Sequence, residues 1–148
     1  MDTTQRVRAA LAAVALVAAQ AALAPAVRAE EEQAQQFTPE FAQVHTNYDA
    51  KHTPKIVAPA SVKRGQWFNV TISVGAGSAH PSLQEHFVRY IALYEDSVEI
   101  ARAYLHPVYS APIVTFTVAL DHGGELRAME EPTHSAAWVA TQKIEVTP

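Results

Sequence analysis

Pro112-Ile113-Val114-Thr115-Phe116-Thr117-Val118-Ala119-Leu120 is the stretch whose reading decides the fold. Val114, Phe116, Val118 and Leu120 share one phase, and Thr115, Thr117 and Ala119 occupy the other. Successive side chains of a strand point to opposite faces, so this alternation marks a strand buried on one side and wet on the other. Gln66–Val74 repeats the pattern, with Phe68, Val70, Ile72 and Val74 set against Trp67, Asn69, Thr71 and Ser73. In the last segment Trp138, Ala140, Ile144 and Val146 stand in one phase, opposite Thr141, Lys143 and Glu145. Tyr94-Glu95-Asp96-Ser97 separates the apolar runs Phe87–Leu93 and Val98–Leu105, and Asp121-His122-Gly123-Gly124 is expected to close a hairpin. About seven short strands at this spacing, with no helical period beyond the N-terminus, predict an all-β, immunoglobulin-like β-sandwich.

The composition agrees with one globular domain: 148 residues, 49% hydrophobic and 18% charged, with nine prolines and five glycines. There is no cysteine. That excludes a disulfide framework, an iron–sulfur cluster, a thiolate zinc finger and a cysteine nucleophile. The net charge of −4 argues against nucleic acid as a partner, because its binders carry a basic face.

Residues 1–29 read as a secretory signal. Arg6 and Arg8 form a short positive region, and Ala9 to Leu23 is apolar apart from Gln20. Val27-Arg28-Ala29 then presents small residues where a signal peptidase cuts. The apolar run is Ala-rich and short for a membrane span of about 20 residues. Cleavage removes more positive than negative charge, so the processed chain is more acidic still, with no membrane span. The Ala-rich style points to a bacterial periplasm. Residues 30–40, rich in Glu and Gln with Pro39, read as a flexible lead-in, and 41–148 as the sandwich domain.

Seven histidines carry the functional reading. Three stretches place four of them in loops or at strand ends: Lys51-His52-Thr53-Pro54, His80 to His86 ahead of Phe87, and Glu131-Pro132-Thr133-His134 ahead of Trp138. Imidazole suits iron, copper, nickel and zinc, and a sandwich can gather such loops at one end around an ion. His45, His106 and His122 lack that context and read as surface residues, His122 within the expected hairpin turn.

The ordered set K-H-x-P from Lys51, H-P-x4-H-F-V-x-Y-I from His80, and G-G-x-L-R-A-x-E-E-P-T-H-x3-W from Gly123 resembles the iron domain of superoxide reductases, the neelaredoxins and desulfoferrodoxins. The resemblance runs from about Tyr48 to Val146. It implies an immunoglobulin-like sandwich, in agreement with the period-two reading, and one mononuclear metal ringed by His52, His80, His86 and His134. It also implies that Lys51 draws in superoxide and aids protonation as the catalytic side chain.

The departures from that family bear on the chemistry. Its axial cysteine, three residues before the last histidine, is Glu131 here, a possible fifth ligand. The glutamate usual before the lysine is Ala50, and the tryptophan falls one residue later. A carboxylate is a harder donor than a thiolate, and four imidazoles without it resemble the tetragonal set that Cu(II) prefers. The metal is therefore expected to be iron or copper, with reductase activity altered or absent. A periplasmic copper-handling protein, and a non-catalytic interaction module similar to a sulfur-carrier partner subunit, stay open as alternatives. A small anion or oxygen species and a redox protein are the partners implied.

Overall fold

In the computed structural model, residues 44–148 are described; the signal reading at 1–29 and the lead-in at 30–40 lie outside them. Eight strands are present, against the expected seven or so: β1 (Pro54–Val57), β2 (Ser61–Lys63), β3 (Phe68–Val74), β4 (Val88–Glu95), β5 (Val98–Tyr104), β6 (Ile113–Val118), β7 (Gly124–Pro132) and β8 (Trp138–Thr147). No helix occurs among the described residues. The strands form a three-stranded sheet, β1-β3-β6, and a five-stranded sheet, β2-β8-β7-β4-β5. All pairings are antiparallel except β2 with β8.

The inward phase read from the sequence is the phase that is buried. Val70, Ile72 and Val74 of β3 and Val118 of β6 pack against Val88, Ile91 and Leu93 of β4, Leu126 and Ala128 of β7, and Ile144 of β8. Asn69 donates nothing inward; its side-chain oxygen accepts from the Thr117 hydroxyl on the wet face. A smaller cluster of Ala92, Tyr94, Met129 and Val139 covers the opposite face of the five-stranded sheet, so β4 is buried on both sides over Ile91–Tyr94.

The Asp121–Gly124 segment is not a hairpin. β6 pairs with β3 and β7 pairs with β4 and β8, so the segment carries the chain from one sheet to the other. The glycines serve close approach rather than a tight turn. A Cβ on Gly124 would stand 2.7 Å from Asp96 Oδ1, and one on Gly123 3.1 Å from the Ile144 carbonyl oxygen. The Tyr94–Ser97 turn is tighter than read: Tyr94 and Glu95 are still in β4, Glu95 pairs with Val98, and Asp96 takes a φ of 53°.

Topology brings the histidine stretches together. Pro54 at the start of β1 pairs with Val74 at the end of β3, and Val88 at the start of β4 pairs with Pro132 at the end of β7. Trp138 at the start of β8 pairs with Glu130 near that same end. The chain before β1, the β3–β4 connection and the β7–β8 connection are thus the loops of these ends, and they carry His52, His80, His86 and His134.

The Ile72 side chain is fully buried between the sheets. Ile72→Ala should destabilise the fold by about 2–5 kcal/mol, the cost of lost transfer energy plus a residual cavity; urea denaturation followed by tryptophan fluorescence measures it, and a change below ~1 kcal/mol would show a loosely packed core.

Candidate metal centre

Each histidine loop is tied down by hydrogen bonds that its own short polar residues supply. Residues 49–53 form one turn: Asp49 N–H donates to Thr53 Oγ1 at 2.7 Å, and Thr53 N–H returns to the Asp49 carbonyl at 3.0 Å. Asp49 Oδ1 accepts from the backbone N–H groups of Lys51 and His52, at 2.8 and 2.9 Å. These bonds hold the Asp49 carboxyl below its usual range.

The β3–β4 connection is strapped to that turn. Gly75 and Ala76 donate to the Thr53 carbonyl, and Gly77 and Ser78 to the Ala50 carbonyl, at 2.8–3.2 Å. Gly75 has a φ of 93°, and a Cβ there would collide with the Ser78 carbonyl. Only glycine makes this bend without strain. His80 N–H then returns to the Val74 carbonyl at 3.2 Å. Thr133 ties the remaining loops: its hydroxyl donates to the Glu85 carbonyl at 2.9 Å and accepts from Phe87 N–H at 3.3 Å.

The four imidazoles converge. Ring centroids lie 5.2 Å apart for His52 and His80, 5.0 Å for His80 and His86, 4.0 Å for His86 and His134, and 5.1 Å for His134 and His52. That sequence closes a ring in the order of the chain. The donor atoms of His52, His80 and His134 lie within 4.8 Å of one another, one of two such triads among the described residues. His86 presents its ring beside them without joining that triad. The second triad, Glu95, Asp121 and His122, already has the His122 ring between the two carboxylates, at 3.3 and 3.6 Å.

Tautomers follow from the partners. His52 Nδ1 lies 2.8 Å from Asp49 Oδ1, a carboxylate that can only accept, so Nδ1 carries the proton and Nε2 holds a lone pair. His80 Nδ1 likewise donates to the Pro81 carbonyl at 2.8 Å, which leaves Nε2 buried without a protein partner. His52 Nε2 and His134 Nε2 stand 3.0 Å apart. Two nitrogens bound at right angles to one ion, each at ~2.0–2.1 Å, would be about 2.9 Å apart. An orphaned, buried imidazole nitrogen and a nitrogen pair at that spacing fit a transition metal.

His80 is only 3% exposed, whereas His134 is exposed and His52 and His86 are half-buried. The cluster is therefore closed below His80 and open on the His134 side. Trp138 is buried and stacks on His52 at 5.2 Å between ring centroids, and the His45 ring also stacks on Trp138, at 4.4 Å. His45 is exposed, as read from the sequence, while its ring covers part of Trp138. Burial pushes the His80 imidazole below its ordinary value, with the neighbouring histidines adding to the effect, and His134 shifts the same way. Lys51 is exposed on the turn next to His52.

Glu131 is not brought to the cluster. β4 carries an extra residue, Arg89, between its pairings Val88 with Pro132 and Tyr90 with Glu131. Glu131 lies on the outer face of the sheet, where Arg89 donates to its Oε1 at 3.1 Å, and its carboxylate joins burial in pushing Tyr90 up to about 12. The inward residues of β7 are Leu126, Ala128, Glu130 and Pro132, all buried. Glu130 is 0% exposed, and neither of its oxygens meets a protein hydrogen-bond partner. Burial, with the Glu131 charge a lesser cause, pushes its carboxyl up to about 8. The alternation Leu126-Ala128-Glu130 was the available signal for the inward acid.

The sequence profile described as Desulfoferrodoxin matches residues 44–141. The chain belongs to the desulfoferrodoxin family. The superoxide reductase (neelaredoxin) of Ignicoccus hospitalis is 34% identical, with a TM-score of 0.65 over 74% of this chain and all of that one. The superoxide reductase of Nanoarchaeum equitans is 25% identical, with a TM-score of 0.60 over 69% of this chain and all of that one. A relative from Thermotoga maritima is 28% identical over 114 residues, covering 65% of this chain and 87% of the relative. Within the desulfoferrodoxin family, then, this is a superoxide reductase-like metal-binding domain without any cysteine.

A carboxylate that orients a ligating histidine is worth about 10–100-fold in metal affinity. Asp49→Ala should weaken metal binding by roughly that factor while the fold persists, measured by chelator competition; unchanged affinity would show that His52 needs no such support. In the metal-free protein the depressed His80 value means the unfolded chain takes up the proton first. Stability should therefore fall as pH drops below 6.5, the ordinary histidine value. Imidazole proton shifts against pH test the direction, with the His80 midpoint expected below 6.5.

Proposed function

We propose that this chain is an exported mononuclear metalloprotein that holds one iron or copper ion at His52, His80, His86 and His134 and exchanges single electrons with a small oxygen species. The pair His52 Nε2 and His134 Nε2, 3.0 Å apart with His52 Nδ1 fixed by Asp49, is the observation that carries the reading. Family membership supports it, since the relatives named above are superoxide reductases. The expected signal at residues 1–29 supports export to a periplasm.

The metal, when bound, would supply the one-electron chemistry. The residues of the chain supply the rest. Asp49 and the Pro81 carbonyl hold the His52 and His80 rings with Nε2 unprotonated, the His52 Nε2 accepting from His134 Nε2 and the His80 Nε2 without a partner. Trp138 and His80 are buried on the inner side, and exposed His134 is where a small molecule meets the cluster most directly. Lys51, exposed beside His52, adds one positive charge, which would raise the encounter rate of an anion such as superoxide. The acidic balance of the whole chain opposes this, so local charge has to do the steering. The axial cysteine expected of the family is replaced by an outward Glu131, which argues for reductase activity altered from the family pattern.

Metal analysis with EPR on protein from its native compartment tests the reading. One metal per chain is expected, lost in His52→Ala and in His134→Ala. A tetragonal Cu(II) signal would move the protein to copper handling, and no metal at all would leave an interaction module. For Lys51→Ala the rate with superoxide should fall and lose much of its dependence on ionic strength, while metal content stays unchanged; a rate indifferent to Lys51 removes it from the mechanism.

A further inference from the structure

We infer that Glu130, rather than Glu131, is the carboxylate of the loaded metal centre. The inference rests on the histidine cluster being a metal site and adds the acid that site would recruit. Three observations lead to it.

The first is placement. Glu130 pairs across the sheet with Ile91 on one side and Trp138 on the other. Directly paired residues share a face, so Glu130 stands with Ile91 on the core side, next to the tryptophan that stacks on His52. Pro132, two residues further along the same face, is the last buried position before His134. The Arg89 bulge in β4 keeps this phase: Val88 opposite Pro132 and Ile91 opposite Glu130 both face inward, with Tyr90 opposite Glu131 outward.

The second is energetic. An interior carboxyl with no hydrogen-bond partner is among the costlier groups a core can hold. Methionine or leucine at residue 130 would fill the same space without an unpaired polar atom. The group becomes favourable only when something nearby pairs with its charge, and Arg89 and Arg102 both lie on the other face, with Glu131 and with Tyr90. His80 Nε2 is a second buried polar atom at this end without a protein partner. One divalent ion, if held by both, would leave neither unpaired.

The third is charge. Neutral imidazoles bring no counter-charge to a divalent ion, and an ion seated against buried His80 is partly withdrawn from water. A carboxylate compensates half of its charge and, as a hard oxygen donor, favours iron over copper in a set otherwise made of nitrogen. Glu130 is not one of the three residues whose donor atoms lie within 4.8 Å of one another, so joining them requires its side chain to turn about its torsions.

The test compares unmutated protein, Glu130→Gln and Glu131→Gln. Chelator competition measures affinity for Fe2+ (anaerobically) and Cu2+, EPR the ferric form, and thermal denaturation the metal-free proteins. Glu130→Gln is expected to keep or raise the metal-free melting temperature, weaken Fe2+ by at least roughly tenfold, weaken Cu2+ less, and change the ferric EPR signal. Glu131→Gln should leave both affinities and the signal as they were. Equal Fe2+ binding by Glu130→Gln overturns the assignment to Glu130 and leaves the histidine site standing. So does loss of the metal-free fold in that variant, which would mark a structural acid. Loss of affinity in Glu131→Gln alone returns the role to that residue. If the unmutated protein binds neither metal, the histidine site itself fails, and Glu130 with it.

Discussion

Burial of one face of each sheet against the other is the constraint on which everything else in this molecule depends. Val70, Ile72 and Val74 can meet Ile91, Leu93, Leu126 and Ala128 only in one register, because a slip of one residue would turn each strand's apolar set to water. That register fixes where every strand ends. The ends of β1, β3, β4, β7 and β8 in turn fix where the loops between them begin, to within the play of a few backbone hydrogen bonds. A histidine cluster made of loop residues takes its first measure of precision from those strand ends.

The loops add a second layer of order. Four backbone N–H groups of the β3–β4 connection bond to the Thr53 and Ala50 carbonyls, and Thr133 links the His86 and His134 segments through its hydroxyl. Bringing four imidazoles together costs side-chain and backbone entropy, and these bonds pay that cost during folding. The cluster is accordingly set by the fold itself, with Nδ1 of His52 and of His80 each held by an oxygen acceptor. Buried His80 and the stacked Trp138 stand on the inner side, while exposed His134 faces solvent.

Much of this was legible in the chain. The strands with one wet face, β3 and β6, were read to within two residues, and so was the inward phase of each. The four histidines stood out because their stretches combine imidazoles with prolines and short polar residues at strand ends. One reading went astray and another could not be closed, for one reason. Asp121–Gly124 looked like a hairpin because its glycines suit one, yet whether two consecutive strands pair or part depends on which sheet has an open edge. Glu131 was left open as a fifth ligand because it stands at the family's cysteine position, and the face it occupies is set by the β7 phase and by the bulge at Arg89 on a different strand.

By itself the sequence determined what is local. Period-two alternation follows from strand geometry, turn residues from backbone sterics, and candidate ligands from the chemistry of imidazole; all three act within a few residues of each other. The tertiary structure decided what depends on partners far away in the chain. Pairing of β7 with β4 and β8 sends Glu130 into the core and Glu131 to Arg89, and crossing between the sheets separates β6 from β7. The spacing of residues along one strand cannot carry that information, because a side chain's surroundings are supplied by strands whose positions are settled only when the whole core closes.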